Sequence, residues 1–335
     1  MFKAEIIGTG MYVPENIITN YDLEKMMDTS HDWIVQRSGI EERRWVNAEE
    51  GTSDLALKAS LKAIENAGID KNEIDCILFA TLSPDYYFPG SGCILQAKLG
   101  VQEIPAIDVR QQCSGFLYGM SMADSFIKTG MYKTILLVGA EVHSKGLNKT
   151  TAGRDVSVLF GDGAGAVVIR AKETDDPKAS GILSTHLYSD GNGASDLWTQ
   201  APGMAIGPEM INHEMIEKGL HYPQMNGKKV FVNAVRRMCE AMMTAFDHNK
   251  VKLDDVDLFL FHQANLRINQ KMAEELKIPE EKIFNTIQKY GNTTAATLPI
   301  GMDEAVRAGK LKKGMLVASA VFGSGYTWGA GLYRW

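Results

Sequence analysis

The chain is short of the features that mark a protein for disulfides, metal, nucleic acid or membrane. Its 335 residues hold four cysteines, Cys76, Cys93, Cys113 and Cys239. None forms a Cys-x-x-Cys pair or stands at metal-like spacing from histidine, so neither structural disulfides nor a zinc site is expected. A reduced, cytoplasmic setting follows from that cysteine usage. Lys and Arg number 35 against 41 Asp and Glu, a formal charge of −6. With no basic stripe, a nucleic-acid binder is excluded, although a local basic patch for an acidic protein is not. No apolar run approaches the ~20 residues of a spanning helix. The opening Met1-Phe2-Lys3-Ala4-Glu5-Ile6-Ile7-Gly8 lacks the basic start and long apolar core of a signal peptide.

What is present is an ordinary soluble composition, 45% hydrophobic and 23% charged, on a chain too long for one typical core. The order of elements repeats. Ser53–Ala67 reads as a helix leading through Asp75 to an apolar strand, Cys76–Ala80; Val232–Phe246 leads through Asp257 to Leu258–Phe261. Each strand is followed by a loop and an amphipathic helix, Ser91–Leu99 or Arg267–Leu276. Each half ends in a Phe-Gly-x-Gly hairpin, at Phe160 and at Phe322. Asp75 and Asp257 lie 182 residues apart and the two phenylalanines 162, as unequal insertions in two copies would produce. The division expected is 1–172 and 173–335. Alternating strands and helices with near-continuous apolar strands imply largely parallel sheets covered on both faces, a layered α/β/α/β/α body. Residues 187–227 break the pattern with a glycine- and proline-rich segment carrying Met204, Met210, Met215 and Met225. A helical cap and an adaptable apolar surface for a greasy ligand are equally consistent with it.

Three polar residues are expected at equivalent strand ends of the two halves, where ligands gather in such folds. Cys113 follows the apolar segment Ile104–Val109 and precedes helical spacing at Phe116, Leu117, Met120, Ala123 and Ile127. A thiol at a helix start is exposed to unpaired N–H groups that favour thiolate. A buried structural cysteine is the plainer reading of that segment alone. His262 closes Leu258–Phe261, and Asn292 follows Gly291 as a helix opener. Singly, the histidine reads as a bonded core residue and the asparagine as a helix cap. Together they form a nucleophile with two hydrogen-bonding partners.

These residues stand in stretches that resemble β-ketoacyl-acyl carrier protein synthase III, within the thiolase superfamily. The likeness runs from Gly8-Thr9-Gly10-Met11-Tyr12-Val13-Pro14 to Trp328-Gly329 and is most specific at Asp32–Ile40, Cys113–Phe116, Phe160–Ala166, His262–Arg267 and Gly291–Ala296. The resemblance implies a thiolase-like duplicated five-layered fold and an acyltransferase. Such an enzyme condenses an acyl-CoA primer with malonyl-acyl carrier protein, in fatty-acid or specialised lipid synthesis. It implies Cys113 as nucleophile, with His262 and Asn292 donating to the malonyl thioester oxygen during decarboxylation. The backbone N–H groups of Cys113 and Ser324 would form the oxyanion hole. Thr29, Trp33, Arg37, Arg154 and Asn265 would hold coenzyme A, which enters as a thioester substrate, with no permanently bound cofactor. Arg267 would meet the carrier protein. Phe322 would line the acyl pocket, and Phe88 would enter that of a neighbouring subunit in a homodimer.

The sequence departs from the family at Arg110-Gln111-Gln112 before the nucleophile, at Ser324 in place of a glycine, and in a long segment over 195–225. These point to a medium, long or β-ketoacyl donor. A related ketosynthase of polyketide or resorcinol synthesis and a non-condensing acyl-binding subunit are the alternatives. A thiolase would need a second late cysteine, but Cys239 is the last. Gly161-Asp162-Gly163-Ala164-Gly165 leads into Val167-Val168-Ile169, a strand rather than the helix a dinucleotide phosphate requires.

Overall fold

The computed structural model describes residues 2–335. Its body is carried by β1 (Phe2–Tyr12), α1 (His31–Ser38), α2 (Thr52–Ala67), β2 (Cys76–Ala80), α3 (Ser91–Leu99), β3 (Ala106–Val109), α4 (Gly115–Lys128), β4 (Thr134–Glu141), β5 (Gly163–Glu173), β6 (Gly181–Ser189), α5 (Gly227–Asn249), β7 (Leu258–Phe261), α6 (Leu266–Leu276), α7 (Thr297–Arg307), β8 (Leu316–Gly323) and β9 (Thr327–Arg334). One sheet has the order β1-β5-β4-β2-β3 and the other β7-β8-β9-β6. In the first, β2 runs parallel to both β3 and β4, and β5 is antiparallel to β4 and β1. The second repeats this, with β7 parallel to β8 and β9 antiparallel to β8 and β6.

Pleating explains how each strand serves two cores. Along β2, Ile77 and Phe79 join Leu55, Ala59 and Ala63 of α2 and Leu95 of α3 in one cluster, while Leu78 joins Phe116, Leu117 and Met120 of α4 in another. Both faces are covered, so the strand is apolar throughout. The middle cluster also takes Leu298 and Met302 of α7 and Leu260 and Val317 of the second sheet. A third cluster sets Ala234, Met238 and Met242 of α5 and Met272 of α6 against Phe259, Phe261, Ala318 and Ala320. Helices, sheet, helices, sheet, helices: the five layers follow. Each fully buried Leu, Phe or Met in them contributes roughly 1.5–3 kcal/mol. Gly119 seats α4 against this stack, since a Cβ there would lie 2.4 Å from Leu137 Cδ1.

The internal repeat holds in register. Cys76 pairs with Ile135, and 182 residues later Leu258 pairs with Val317. Asp75 accepts the N–H of Thr134 at 3.1 Å, and Asp257 that of Leu316 at 2.8 Å, so the two aspartates start equivalent ladders. The same offset carries Gln112 onto Thr294. Both have left-handed backbones, φ 47° and 51°, just before equivalent helices. It also carries Cys113 onto Ala295 and His262 onto Ala80.

The two Phe-Gly-x-Gly segments, by contrast, are not equivalent. Phe322 lies within β8, whereas Phe160 lies beyond β4, near the end of an excursion over residues 142–162. In the second half a short turn does the same job. Residues 187–227 begin as the end of β6 and continue as a cap with a short helix, His213–Glu217, and a two-residue pairing of Leu197 and Trp198 with Met225 and Gln224. Met204 faces outward, Met215 is buried in the cap, and Met225 lines the cavities described next.

Candidate active site

Cys113 sits in a single 3-10 turn, Gln112–Ser114, wedged between β3 and α4. Gln112 takes the left-handed turn that swings the chain from strand to helix, a strained conformation for a non-glycine residue. Gly323, at the end of β8, closes over it. A Cβ on Gly323 would lie 3.0 Å from both Cys113 Cβ and Cys113 N. The backbone N–H groups of Cys113 and Ser324 and the Thr294 hydroxyl all act to hold the thiol down. Even so, burial pushes the thiol up to about 12, and the Glu141 carboxylate adds to the rise. The expectation that the helix start would lower it is therefore corrected: desolvation outweighs the donors.

His262 ends β7 and is buried. Its Nδ1 lies 2.7 Å from Thr297 Oγ1, while Nε2 has no partner. Burial brings the imidazole down to about 3, so it is neutral in the physiological range. The Thr297 oxygen also lies 3.0 Å from the Thr294 carbonyl. Its one proton serves either neighbour. Turned onto Nδ1 it leaves Nε2–H as a donor; turned onto the carbonyl it leaves Nε2 as an acceptor. Asn292 does not cap a helix as expected. It bridges to Phe160, and its Oδ1 accepts the Thr294 N–H at 2.8 Å. That bond fixes the carboxamide, leaving its Nδ2 free to donate. Cys113, His262, Asn292 and Phe322 all line one cavity of about 130 Å³, with Val230, Phe231 and Met238 as apolar walls.

A groove of about 890 Å³ shares Leu159, Met225, Gly227, Phe231 and Asn265 with that cavity. Trp33, Arg37 and Arg267 also line it. Trp33 is held by α1, capped by Ser30, and two guanidinium groups lie over its ring: Arg37 at 4.3 Å and Arg154 at 4.9 Å. The Arg37 contact was not read from the sequence. Arg154 donates to the Asp28 carbonyl at 2.6 Å, and Asn265 Nδ2 to the Arg37 carbonyl at 2.9 Å. Thr29 and Arg154 are not among the groove's lining residues, although Thr29 Oγ1 is buried without a partner.

On the other side of Cys113 a cavity of about 600 Å³ is lined by Arg110, Gln112, His143, Phe160, Trp198 and Ser324, among others. Tyr86 and Tyr87 border it, but Phe88, 81% exposed on the same loop, lines none of these three cavities. Sequence reasoning missed two buried titratable groups here. Glu141, raised to about 7 by burial, accepts from Ser83, Leu82 and Thr81. His143 is brought down to about 3 by burial. The signal was the one used for His262: polar residues ending an apolar strand.

Two family models match the chain, 3-oxoacyl-(acyl-carrier-protein) synthase III over residues 107–191 and its C-terminal counterpart over 246–335. A β-ketoacyl-(acyl-carrier-protein) synthase III from Caldanaerobacter subterraneus is 42% identical over 332 residues, covering 99% of this chain and 98% of that one. The protein of the same name from Clostridioides difficile is 44% identical over 333 residues, with the same coverage. The crystal structure of 3-oxoacyl-(acyl-carrier-protein) synthase III from Aquifex aeolicus superposes with a TM-score of 0.90 at 42% identity, covering 99% of this chain and all of that one. The thiolase-like layered fold expected from the sequence is the one found.

Proposed function

The chain belongs to the 3-oxoacyl-(acyl-carrier-protein) synthase III family, and on that premise we propose how its residues carry out an acyl-transferring, decarboxylating condensation. Cys113 attacks an acyl-CoA thioester. Its sulfur bonds the acyl carbon, and CoA leaves with the thiol proton. Malonyl-acyl carrier protein then loses carbon dioxide. His262 Nε2–H and the Asn292 amide donate to the thioester oxygen on which negative charge develops. The resulting carbanion attacks the acyl-Cys113 carbonyl, whose oxygen lies in the hole made by the N–H groups of Cys113 and Ser324. Collapse releases the β-ketoacyl carrier protein and the thiolate.

One observation carries this reading: the buried Cys113 shares a cavity with an unpartnered histidine nitrogen and an asparagine held by its oxygen. Neutral histidine suits the task, because a donor is needed and a second positive charge is not. The Thr297 hydroxyl must then donate to His262 Nδ1, which keeps the ring proton on Nε2.

The groove suits coenzyme A, with Trp33 for the adenine, Arg154 beside that ring and Arg37 and Asn265 along the path, while Thr29 would act from outside the lining. CoA comes and goes as substrate, with no resident cofactor. Arg267 at the mouth suits an acidic carrier protein. Residues 1–172 and 173–335 form the two halves. The protein works in the cytoplasm as a homodimer, the exposed Phe88 entering the partner's acyl pocket. The 600 Å³ cavity beside Cys113, with the Arg110-Gln111-Gln112 approach, supports a donor longer than acetyl or one carrying a β-keto group. Presence of all three chemical residues favours a condensing enzyme over a non-condensing subunit.

Intact-mass spectrometry after exposure to acyl-CoAs from C2 to C16 tests this. A single acyl adduct is expected, absent in Cys113→Ala. An adduct that survives Cys113→Ala would overturn the nucleophile. Turnover highest with acetyl-CoA and negligible from C8 upward, with no β-ketoacyl adduct, would overturn the primer class.

A further inference from the structure

His143 has no part in the steps above, yet it lines one cavity with the nucleophile. Its Nε2 lies 2.6 Å from Thr294 Oγ1, in a buried contact. The turn that carries this hydroxyl, Thr294–Ala296, packs on the Gln112–Ser114 turn of Cys113, and the hydroxyl is among the groups that hold the Cys113 thiol down. Thr294 is held in place with unusual firmness. Its backbone is left-handed, which a β-branched residue rarely adopts; its N–H is taken by Asn292, and the Thr297 hydroxyl lies at its carbonyl. His143 is equally fixed. Its own N–H donates to Asp162 Oδ1 at 2.7 Å, and its ring packs on Phe160 with centroids 4.6 Å apart. Among the described residues no group bonds Nδ1, so nothing in the protein imposes the tautomer that would leave Nε2 bare.

We propose that His143 is a positioning residue: by donating Nε2–H to Thr294 Oγ1, it turns the threonine's only proton onto the Cys113 sulfur and stabilises the thiolate. The argument is one of proton count. If Nε2 accepts, the hydroxyl proton is spent on the ring and the sulfur gains no donor. If Nε2 donates, the hydroxyl accepts from the ring and gives its proton to sulfur. The imidazole stays neutral throughout and is no base, since burial strongly opposes its protonation. The thiol proton still leaves with CoA.

The inference rests on Cys113 being the nucleophile. The titratable groups facing that sulfur are Glu141 at the end of β4, His143 just beyond it and His262 at the end of β7. Glu141, raised to about 7 by burial, gives an inflection shared by all variants that retain it.

The test is the rate of Cys113 alkylation by iodoacetamide between pH 6 and 10, followed on the Cys113 peptide so that exposed Cys93 does not interfere. His143→Leu is expected to slow alkylation about tenfold across this range, which lies below the thiol's own titration, as a one-unit fall in thiolate stability would do. Thr294→Val should do the same, and the double variant no more. His143→Gln and Thr294→Ser, which retain a donor, should behave as the parent. A profile unchanged in Thr294→Val, or a His143→Leu shift that His143→Gln does not reverse, would overturn the proposal. Acylation of the parent by acyl-CoA separates the two readings. If Cys113 takes no acyl group, the nucleophile reading fails; if it does and the profiles are unshifted, only the role of His143 fails.

Discussion

Gly139 offers a demanding check on how the site is held. It lies two residues from the end of β4, and a Cβ built on it meets the Ala295 carbonyl oxygen at 2.4 Å, its carbon at 2.8 Å and Ala296 Cα at 3.2 Å. All three are backbone atoms of the turn that carries Thr294 and follows Asn292, so no flexible side chain can yield. In Gly139→Ala the turn must retreat by roughly 1 Å to restore ordinary contact, in an interior packed like a crystal. Overpacking of this kind costs about 1–3 kcal/mol. Displacement of a catalytic group by about 1 Å can cost on the order of 10²-fold in rate. The expected outcome is a condensation rate lower by one to two orders of magnitude and a Tm lower by a few degrees. Acylation of Cys113 should suffer less, because the elbow at Gln112 is not in the path of the new methyl. Gly191→Ala is the control: its Cβ meets nothing within 4 Å and its backbone is unstrained. Steady-state condensation, intact-mass acylation and thermal melts read the three quantities. Gly139→Ala with parental rate and Tm would refute the claim that β4 buttresses the turn.

Two further outcomes follow from the buried polar groups. Thr297→Val removes the hydroxyl that donates to His262 Nδ1 and keeps the ring proton on Nε2, so malonyl decarboxylation should fall by about tenfold or more while acyl transfer to Cys113 persists; equal losses in both steps would count against a role in setting the tautomer. Stability should peak near pH 6.5. His143 and His262 are each brought from 6.5 down to about 3, so below 6.5 the unfolded chain takes up two protons that the fold refuses. Glu141, raised from 4.5 to about 7, keeps one proton in the fold that the unfolded chain has lost above 4.5. From these three groups, stability falls by about 1.4 kcal/mol per pH unit from 6.5 to 4.5, and about twice that from 4.5 to 3. Urea unfolding across this range should show His143→Leu losing one proton's worth of the acid limb; an unaltered slope would contradict the assigned burial.

Much of the fold was legible because strand starts and strand interiors are set by local chemistry. Asp75 and Asp257 stand out before apolar strands, and each accepts N–H groups opening the neighbouring strand. The register of the hairpins was not legible. Matching Phe160 to Phe322 relied on residue identity, whereas the first hairpin carries an excursion that the second lacks, so one phenylalanine is in a strand and the other before one. Cys113, His262 and Asn292 were found by type and position and do share a cavity, but not as equivalent strand ends: Cys113 and His262 fall where the other half has Ala295 and Ala80. The left-handed Thr294 could not be foreseen, because threonine gives no signal for such a turn. Glu141 and His143 could have been, from the rule that singled out His262. The sign of the Cys113 shift depends on how many atoms surround the sulfur, which no local pattern reports.

The repeat has a consequence for how many reactions the chain can run. Applying the offset to the site gives a second location, where Ala80 replaces His262, Ala295 replaces Cys113 and Arg110 replaces Asn292. That location is solid: Ala80, Val109 and Ala295 close on one another with Tyr118 and Met122 packed against them. A two-fold pseudosymmetric frame thus carries one open workshop and one that has been bricked up. The nucleophile comes from the first half and its two partners from the second, so neither half cut free could be active. The methyl groups of the closed site fill the ground against which Gly115 and the open site's elbow rest, since a Cβ on Gly115 would meet those of Ala80 at 3.1 Å and Ala295 at 3.7 Å.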